Sequence, residues 1–202
     1  MLCLRDNHRQ HPFLIEVKMI EVEIKVKVKN RVKLEQLLCE LGFIKGALIR
    51  EEDIYFDTAE DFIRKNDHAL RLRSSENIIY GKNHHFITYK GPKLDQISMT
   101  RQELETKIGD AKVMKELLKA LGYVKMYPVI KTRQYFTLEE MNACIDSVNN
   151  LGEFLELEMV VSEKDREYAL AHIIEVLEKI GYSKEEIIRT SYLSMLQSVP
   201  PA

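Results

Sequence analysis

No tryptophan occurs among the 202 residues, glycine numbers 8, proline 5 and cysteine 3, and basic and acidic side chains nearly cancel at 30 against 32. Each shortage excludes something. With a net charge of -2 the chain has no bulk attraction for nucleic acid or for an anionic membrane, so recognition by charge must come from arrangement. Cys3, Cys39 and Cys144 are odd in number and show no metal-ligand or redox spacing, which fits a reducing cytosol better than a disulfide framework. No apolar run approaches the roughly 20 residues that span a bilayer, and "FLI" at 13–15 is too short for a signal-peptide core. The expectation is a soluble, cytoplasmic protein that binds neither membrane nor nucleic acid. The few glycines form no Walker A loop, so that phosphate cradle is excluded too.

What is present is enough apolar material, 45% of residues, for one substantial domain. Residues 1–18 lack periodicity and read as an N-terminal extension, disordered or created by an early start codon; the domain is expected over 19–197 and a tail over 198–202. Leu34, Leu37, Leu38 and Leu41 fall at helical spacing before Gly42, and Val113, Met114, Leu117, Leu118 and Leu121 do so before Gly122. The stretches "LGF" at 41–43 and "LGY" at 121–123 each lead into a strand, which suggests an internal repeat of strand, helix and several strands. Strands are expected at 20–29, 43–57, 69–74, 84–90, 97–107, 123–136, 142–148 and 153–161, a helix over 164–180 and a short one at "SYLSMLQ". Short connections make the sheet mostly antiparallel.

The strands share a peculiarity. In "IEVEIKVKVK" at 20–29 one parity is apolar and the other reads Glu21, Glu23, Lys25, Lys27, Lys29. Arg71 with Arg73, Arg101 with Glu103 and Glu105, Lys131 with Arg133, and Glu156 with Glu158 repeat the pattern. Charge defends sheet edges, but an antiparallel sheet has only two, and charged faces on so many strands need another explanation. A sheet closed into a barrel satisfies it, with charges around a wet interior and apolar faces under the helices. A flat sheet with one solvated charged face predicts the same alternation and stays open at this stage. Crowded carboxylates want a hard divalent cation, and crowded Arg and Lys want a polyanion. A metal-bound polyphosphate answers both sets and points to phosphoryl-transfer chemistry.

Glu21-Val22-Glu23-Ile24-Lys25 is the Glu-x-Glu-x-Lys signature, and it is followed in order by "DIYFDT" at 53–58, "LRLR" at 70–73, "TYKGP" at 88–92, "RQELE" at 101–105, "KTR" at 131–133, Asp146, "LGEFLELE" at 151–158 and "TSYLSML" at 190–196. On these motifs, spread over 19–197, the chain resembles the CYTH superfamily of triphosphate tunnel enzymes, and most of all its class IV adenylate cyclase branch. The resemblance implies an α+β fold: a closed eight-stranded antiparallel β-barrel with a charged lumen and helices packed outside. It implies Mg²⁺ or Mn²⁺ on Glu21, Glu23, Glu156 and Glu158 with Asp146, and a triphosphate on Lys25, Arg71, Arg73, Lys90, Arg101, Lys131 and Arg133. Lys131, Arg133 and Asp146 would stand nearest the chemistry, and the cyclase branch allows a homodimer.

Arg101 and Glu103 read equally well as an internal salt bridge, Lys27 and Lys29 as a solvated rim, and Tyr55, Phe56 and Tyr89 as packing rather than base contacts. His84 and His85, at a strand start, have no second ligand cluster and read as loop or surface residues. Three functions follow: cyclisation of ATP to cyclic AMP and pyrophosphate, hydrolysis of inorganic or thiamine triphosphate, and noncatalytic binding of nucleotide or polyphosphate. Plain anion binding gains little from the carboxylates, which ranks it last.

Overall fold

The computed structural model describes residues 19–198. The extension expected at 1–18 and all but the first residue of the expected tail lie outside the described residues. The elements run β1 (Met19–Lys27), α1 (Arg31–Glu40), β2 (Ile44–Asp57), α2 (Phe62–Lys65), β3 (Ala69–Asn77), β4 (Asn83–Lys90), β5 (Arg101–Ile108), α3 (Ala111–Ala120), β6 (Val124–Lys125), β7 (Val129–Leu138), β8 (Met141–Val148), β9 (Gly152–Ser162), α4 (Arg166–Lys179) and α5 (Tyr192–Ser198). The sheet order is β3-β4-β5-β1-β9-β8-β7-β2-β6, and a further pairing of β3 with β2 closes eight strands into an antiparallel barrel, leaving β6 as a short appendage. Closure overturns the flat-sheet alternative: with no free edges around most of the circuit, the charged parity has to face inward.

The apolar parity does what the pattern requires. Ile20, Val22, Ile24 and Val26 of β1 pack with Leu155, Leu157 and Met159 of β9 beneath Ala169, Ile173 and Leu177 of α4 and Leu34 and Leu38 of α1. A second apolar cluster joins Phe56, Leu72 and Leu118, placing α3 over β2 and β3. A third joins Val129, Val148, Phe154 and Tyr192, where α5 lies across the end of the barrel formed by the starts of β7 and β9. Burial of such side chains is worth about 1.5–3 kcal/mol each.

The two similar helices are built alike. Asn30 and Asp110 accept backbone N–H bonds from the first turns, and both helices end at a leucine followed by a glycine with positive φ, 96° at Gly42 and 92° at Gly122. The next residue then donates back five positions, Phe43 to Leu38 and Tyr123 to Leu118, each at 3.0 Å, closing the same left-handed cap. Each half of the chain thus reads strand, helix, three long strands.

Three features depart most from the expected elements. The strand at 123–136 is two, because Pro128 interrupts it: β6 pairs with Phe56 and Asp57, and β7 begins at Val129. The strand expected from residue 97 begins at Arg101, since Asp95 captures the N–H groups of Ile97 and Ser98 at 2.8 and 2.7 Å and holds them in a turn. The short α2 went unpredicted; Asp57 at the end of β2 accepts from the N–H of Ile63 at 2.8 Å and starts it.

Candidate active site

The barrel encloses a cavity of about 370 Å³ lined by eight acidic and nine basic side chains, within the ~300–1,000 Å³ usual for small-ligand sites. Ten of the twelve residues expected to bind metal or triphosphate line it: Glu21, Glu23, Lys25, Arg71, Arg73, Lys90, Arg101, Arg133, Glu156 and Glu158. Lys131 and Asp146 do not. They sit on the same inward face behind Arg133 and Tyr192 in a closed cluster, where Asp146 accepts from Lys131 Nζ at 2.7 Å, from Arg133 Nε and Nη2 at 2.7 and 2.6 Å, and from the Tyr192 hydroxyl at 3.1 Å. Asp146 is fully enclosed.

Register explains how the strands deliver these side chains. Pairing of β1 with β9 sets Glu23 directly opposite Glu158 and Lys25 opposite Glu156, and pairing of β2 with β3 sets Asp53 opposite Arg73. Like charges face each other at the first pair and opposite charges at the others, so the lumen has two characters. On one side Lys90 Nζ lies 2.6 Å from Glu21 and 2.8 Å from Glu103, and Arg71 lies 3.4–3.8 Å from Glu105, Glu103 and Asp53. Farther round, Arg73 holds Asp53 through Nε and Nη2 at 2.6 and 2.7 Å, Lys25 lies 3.5 Å from Glu156, and Arg133 closes on the same Glu156. Lys25 Nζ stands 4.2 Å above the ring of Tyr192, which anchors α5 to the barrel.

The carboxylates respond in opposite ways. Burial pushes Glu21 up, but Lys90, the hydrogen bond with Glu103 and Arg71 together outweigh it and bring the group to about 2. Burial raises Glu156 as well, and Arg133, Lys131 and Lys25 together hold it well below the usual range. For Glu158, burial and then the neighbouring Glu21, with Glu23 and Glu156 behind it, prevail over Arg133 and push it up to about 8. Glu23 is raised by burial and by Glu156, and Glu103 goes to about 7 through burial and its contact with Glu21, against Lys90. Glu21, Glu23 and Glu158 therefore form a set too crowded to ionise together without added positive charge.

That crowding, with oxygen donors only, fits a hard divalent cation. Among the described residues no three acidic, histidine or cysteine side chains already converge in a ligand geometry, so loading would require the glutamates to turn toward the ion. The polyanion half of the expectation has its own mark: the Nε atoms of Arg71 and Arg101 are buried and have no acceptor among the described residues. Buried N–H donors without partners are costly, and phosphate oxygens would supply what is missing.

Several lining residues escaped the reading of the sequence. Asp53 escaped it because Glu52 beside it blurs the alternation of Glu51, Asp53 and Tyr55; parity with the charged strands was the available signal. Glu51 joins the closed cluster, 3.4 Å from Lys131 and 3.2 Å from Arg73. Asp67, His68 and Lys93 come from loops, where no periodicity marks them, and Arg101 reaches the Asp67 carboxylate at 3.6 Å. Arg189 ties the segment before α5 to the 95–98 loop through the carbonyls of Asp95 and Ser98 at 2.8 and 3.3 Å. Glu103 and Glu105 both line the cavity, whereas Lys27 and Lys29 lie outside the lining set and Lys29 is exposed, paired with Glu186. Tyr55 lines the cavity; Phe56 is core and Tyr89 bonds to His68 at 3.1 Å. His85 meets Ser74, and neither it nor His84 lines the cavity.

An antiparallel barrel with acids and bases balanced around its interior defines a triphosphate-tunnel type of protein. The chain belongs to the CYTH domain family, whose model matches residues 19–192. It is 41% identical over 178 residues to the Methanocaldococcus jannaschii protein named "Putative adenylate cyclase", covering 88% of this chain and 98% of that one. It resembles the structure of the PH1819 protein from Pyrococcus horikoshii at 33% identity and a TM-score of 0.79, over 88% and 98% of the two chains. At 17% identity and a TM-score of 0.62 the fold also matches a Hippeastrum protein, over 89% of this chain and 95% of that one. No helix among the described residues is long and apolar enough to cross a membrane.

Proposed function

We propose that the chain is a metal-dependent enzyme acting on triphosphates, and that its reaction is the cyclisation of ATP to cyclic AMP and pyrophosphate. The observation that carries the metal and triphosphate parts is the pairing, inside one cavity, of a glutamate set too crowded to ionise together with two buried arginine N–H groups lacking acceptors. The cyclase assignment leans on the Methanocaldococcus relative. Glu21, Glu23, Glu156 and Glu158 would hold Mg²⁺ or Mn²⁺, which supplies charge neutralisation at the phosphates. Lys25, Arg71, Arg73, Lys90, Arg101 and Arg133 would bind and orient the triphosphate. Asp146 and Lys131, which do not line the cavity but contact Arg133 or its partner, would serve as positioning residues for Arg133.

In that reaction the ribose 3′-hydroxyl oxygen bonds to the α-phosphorus as the bond from that phosphorus to the bridging oxygen breaks. The hydroxyl proton is lost, and pyrophosphate leaves with the electron pair. The cationic side chains lower the barrier by holding the reacting atoms in line and stabilising charge that builds on the leaving group. The second reading, hydrolysis at a terminal phosphorus, needs the same charges with water as nucleophile. The Hippeastrum structure favours it, since that protein, named "Putative adenylyl cyclase", "reveals a dominant" triphosphatase activity.

The test offers the purified chain ATP and inorganic triphosphate separately, with Mg²⁺ or Mn²⁺, and resolves cyclic AMP, pyrophosphate and orthophosphate. Cyclic AMP with matching pyrophosphate is expected. Orthophosphate from triphosphate without cyclic AMP would move the chain to the hydrolase reading, and tight metal-independent binding without turnover would remove the enzyme assignment.

A further inference from the structure

Lys25, Arg71, Arg73, Lys90 and Arg133 all meet acids carried by barrel strands. Arg101 does not. Glu21 stands directly opposite it in the ladder of β1 with β5, yet the carboxylate that its guanidinium meets among the described residues is that of Asp67, in the loop between α2 and β3. Nη2 lies 3.6 Å from that carboxylate, and Nη1 donates to the Asp67 carbonyl at 3.3 Å. An arginine that passes over the glutamate facing it is being held elsewhere.

The backbone of Asp67 is unusual as well. Its φ is 57°, and the next residue, His68, donates to Ile63 O five positions back at 2.9 Å. That is the cap described for α1 and α3, where Gly42 and Gly122 take the same place. A side chain is disfavoured in the left-handed region, which glycine enters freely and only Asp or Asn tolerates well. An aspartate at the glycine position of such a cap keeps a carboxylate there against a backbone penalty, and strain of this kind collects where a site needs a group held. The loop between β4 and β5 fixes the carboxylate from the other side. Asp67 accepts from the Lys93 N–H at 2.8 Å and from the Lys93 ammonium. Partial burial raises Asp67, but the bonds from Lys93 and the charge of Arg101 bring it below its ordinary value, so it is an anion at neutral pH.

We propose that Asp67 is a positioning residue for Arg101. It draws the guanidinium away from Glu21 and engages it through the two Nη groups, so that Nε, buried and without an acceptor, is kept for a phosphate oxygen. Glu21 is thereby left to Lys90, 2.6 Å away. The inference rests on the proposed function, since a bound triphosphate is what would use that donor. Charge alone gives the opposite expectation. Asp67 lines the cavity, and removing an acid from the wall should tighten the binding of a polyanion, whereas removing a positioning group should loosen it. The sign of the effect separates the two.

The test is calorimetric titration of the full chain with inorganic triphosphate, for wild type, Asp67→Asn, Arg101→Ala and the double variant. Asparagine tolerates the left-handed backbone and keeps a side-chain oxygen, so Asp67→Asn removes little besides the charge. Asp67→Gly, free of the backbone penalty, carries the same expectation and serves if the asparagine variant unfolds early. Asp67→Asn should raise the Kd at least about fivefold, and Arg101→Ala by at least as much. Once Arg101 is gone, adding Asp67→Asn should change the Kd by less than about twofold, because the two residues act as one. Tighter or unchanged binding by Asp67→Asn overturns the proposal. So does an equal loss from Asp67→Asn with and without Arg101, the mark of a loop tie that acts through something else. A wild type that binds no triphosphate overturns the proposed function, and the role of Asp67 with it.

Discussion

Glu158 is the most informative single position to change, because its consequence for stability has a definite sign. In the folded chain it is pushed up to about 8 from the ordinary 4.5 by burial and by Glu21, Glu23 and Glu156. Between those two values the folded protein holds a proton that the unfolded chain has released, so stability falls as pH rises from about 5 to about 8. At 1.36 kcal/mol per pH unit the full span would approach about 5 kcal/mol. The side chain is only half-buried, and solvent screening reduces the loss to about 1–2 kcal/mol. Glu158→Gln removes the ionisation while keeping shape, so its Tm with EDTA should exceed that of wild type by about 3–6 °C at pH 8 and match it at pH 5. Glu103, at about 7, contributes a slope of the same sign to both proteins and cancels in the comparison. Adding Mg²⁺ at pH 8 should then raise the wild-type Tm and leave Glu158→Gln nearly unmoved. Equal pH dependence of the two proteins would refute the crowding, and equal response to Mg²⁺ would refute the assignment of metal to this set.

Glu23→Gln should abolish metal-dependent turnover without loss of stability, since Glu23 faces Glu158 across the ladder; persistent turnover by the purified variant counts against its role. Glu156→Gln should also abolish turnover but lower stability by about 2 kcal/mol in a urea titration, because its partners Arg133 and Lys25 lose a buried counter-charge. Arg71→Ala should raise the Kd for inorganic triphosphate about tenfold to a hundredfold by calorimetry, whereas exposed Lys29→Ala should leave it within about twofold. Comparable losses for Arg71 and Lys29 would remove Arg71 from the site. Leu157→Ala, fully buried between β1 and α4, should cost about 2–5 kcal/mol and lower Tm accordingly.

Much of this architecture could be read from period-two alternation, because a side chain's face follows from local geometry alone. The inward set of β1, β3, β5, β7 and β9 needed only that rule and the observation that charged faces outnumbered the edges available. Depth along the tunnel is different. Whether Lys131 meets the cavity or the closed cluster behind it depends on the stagger between strands and on α5, and those relations join residues far apart in sequence. The separation of Arg133 from Lys131, two positions away on the same face, is therefore invisible to any local pattern. Asp53 was hidden by the neighbouring Glu52, and Asp67, His68 and Arg189 lie in loops that carry no period. Pro128 was a local signal: a residue without an N–H inside an expected strand marks the break that separates β6 from β7.

The pairing inside the barrel bears on how a triphosphate would enter it. Most of the lumen cations already hold a carboxylate, Lys90 on Glu21 and Glu103, Arg73 on Asp53, Arg133 on Asp146 and Glu156. A polyanion arriving among them would compete with those acids rather than fill vacant charge, apart from the unpartnered Nε atoms of Arg71 and Arg101. Each cation drawn to phosphate leaves a carboxylate with less counter-charge, and two of those so released, Glu21 and Glu156, belong to the set proposed to hold the metal. On the proposed function, triphosphate and divalent cation should therefore bind with positive coupling, each raising the affinity for the other by the same factor. The ion pairs inside the barrel compensate most of its charges until that exchange, so buried acids and bases persist in an interior where either set alone would resist folding.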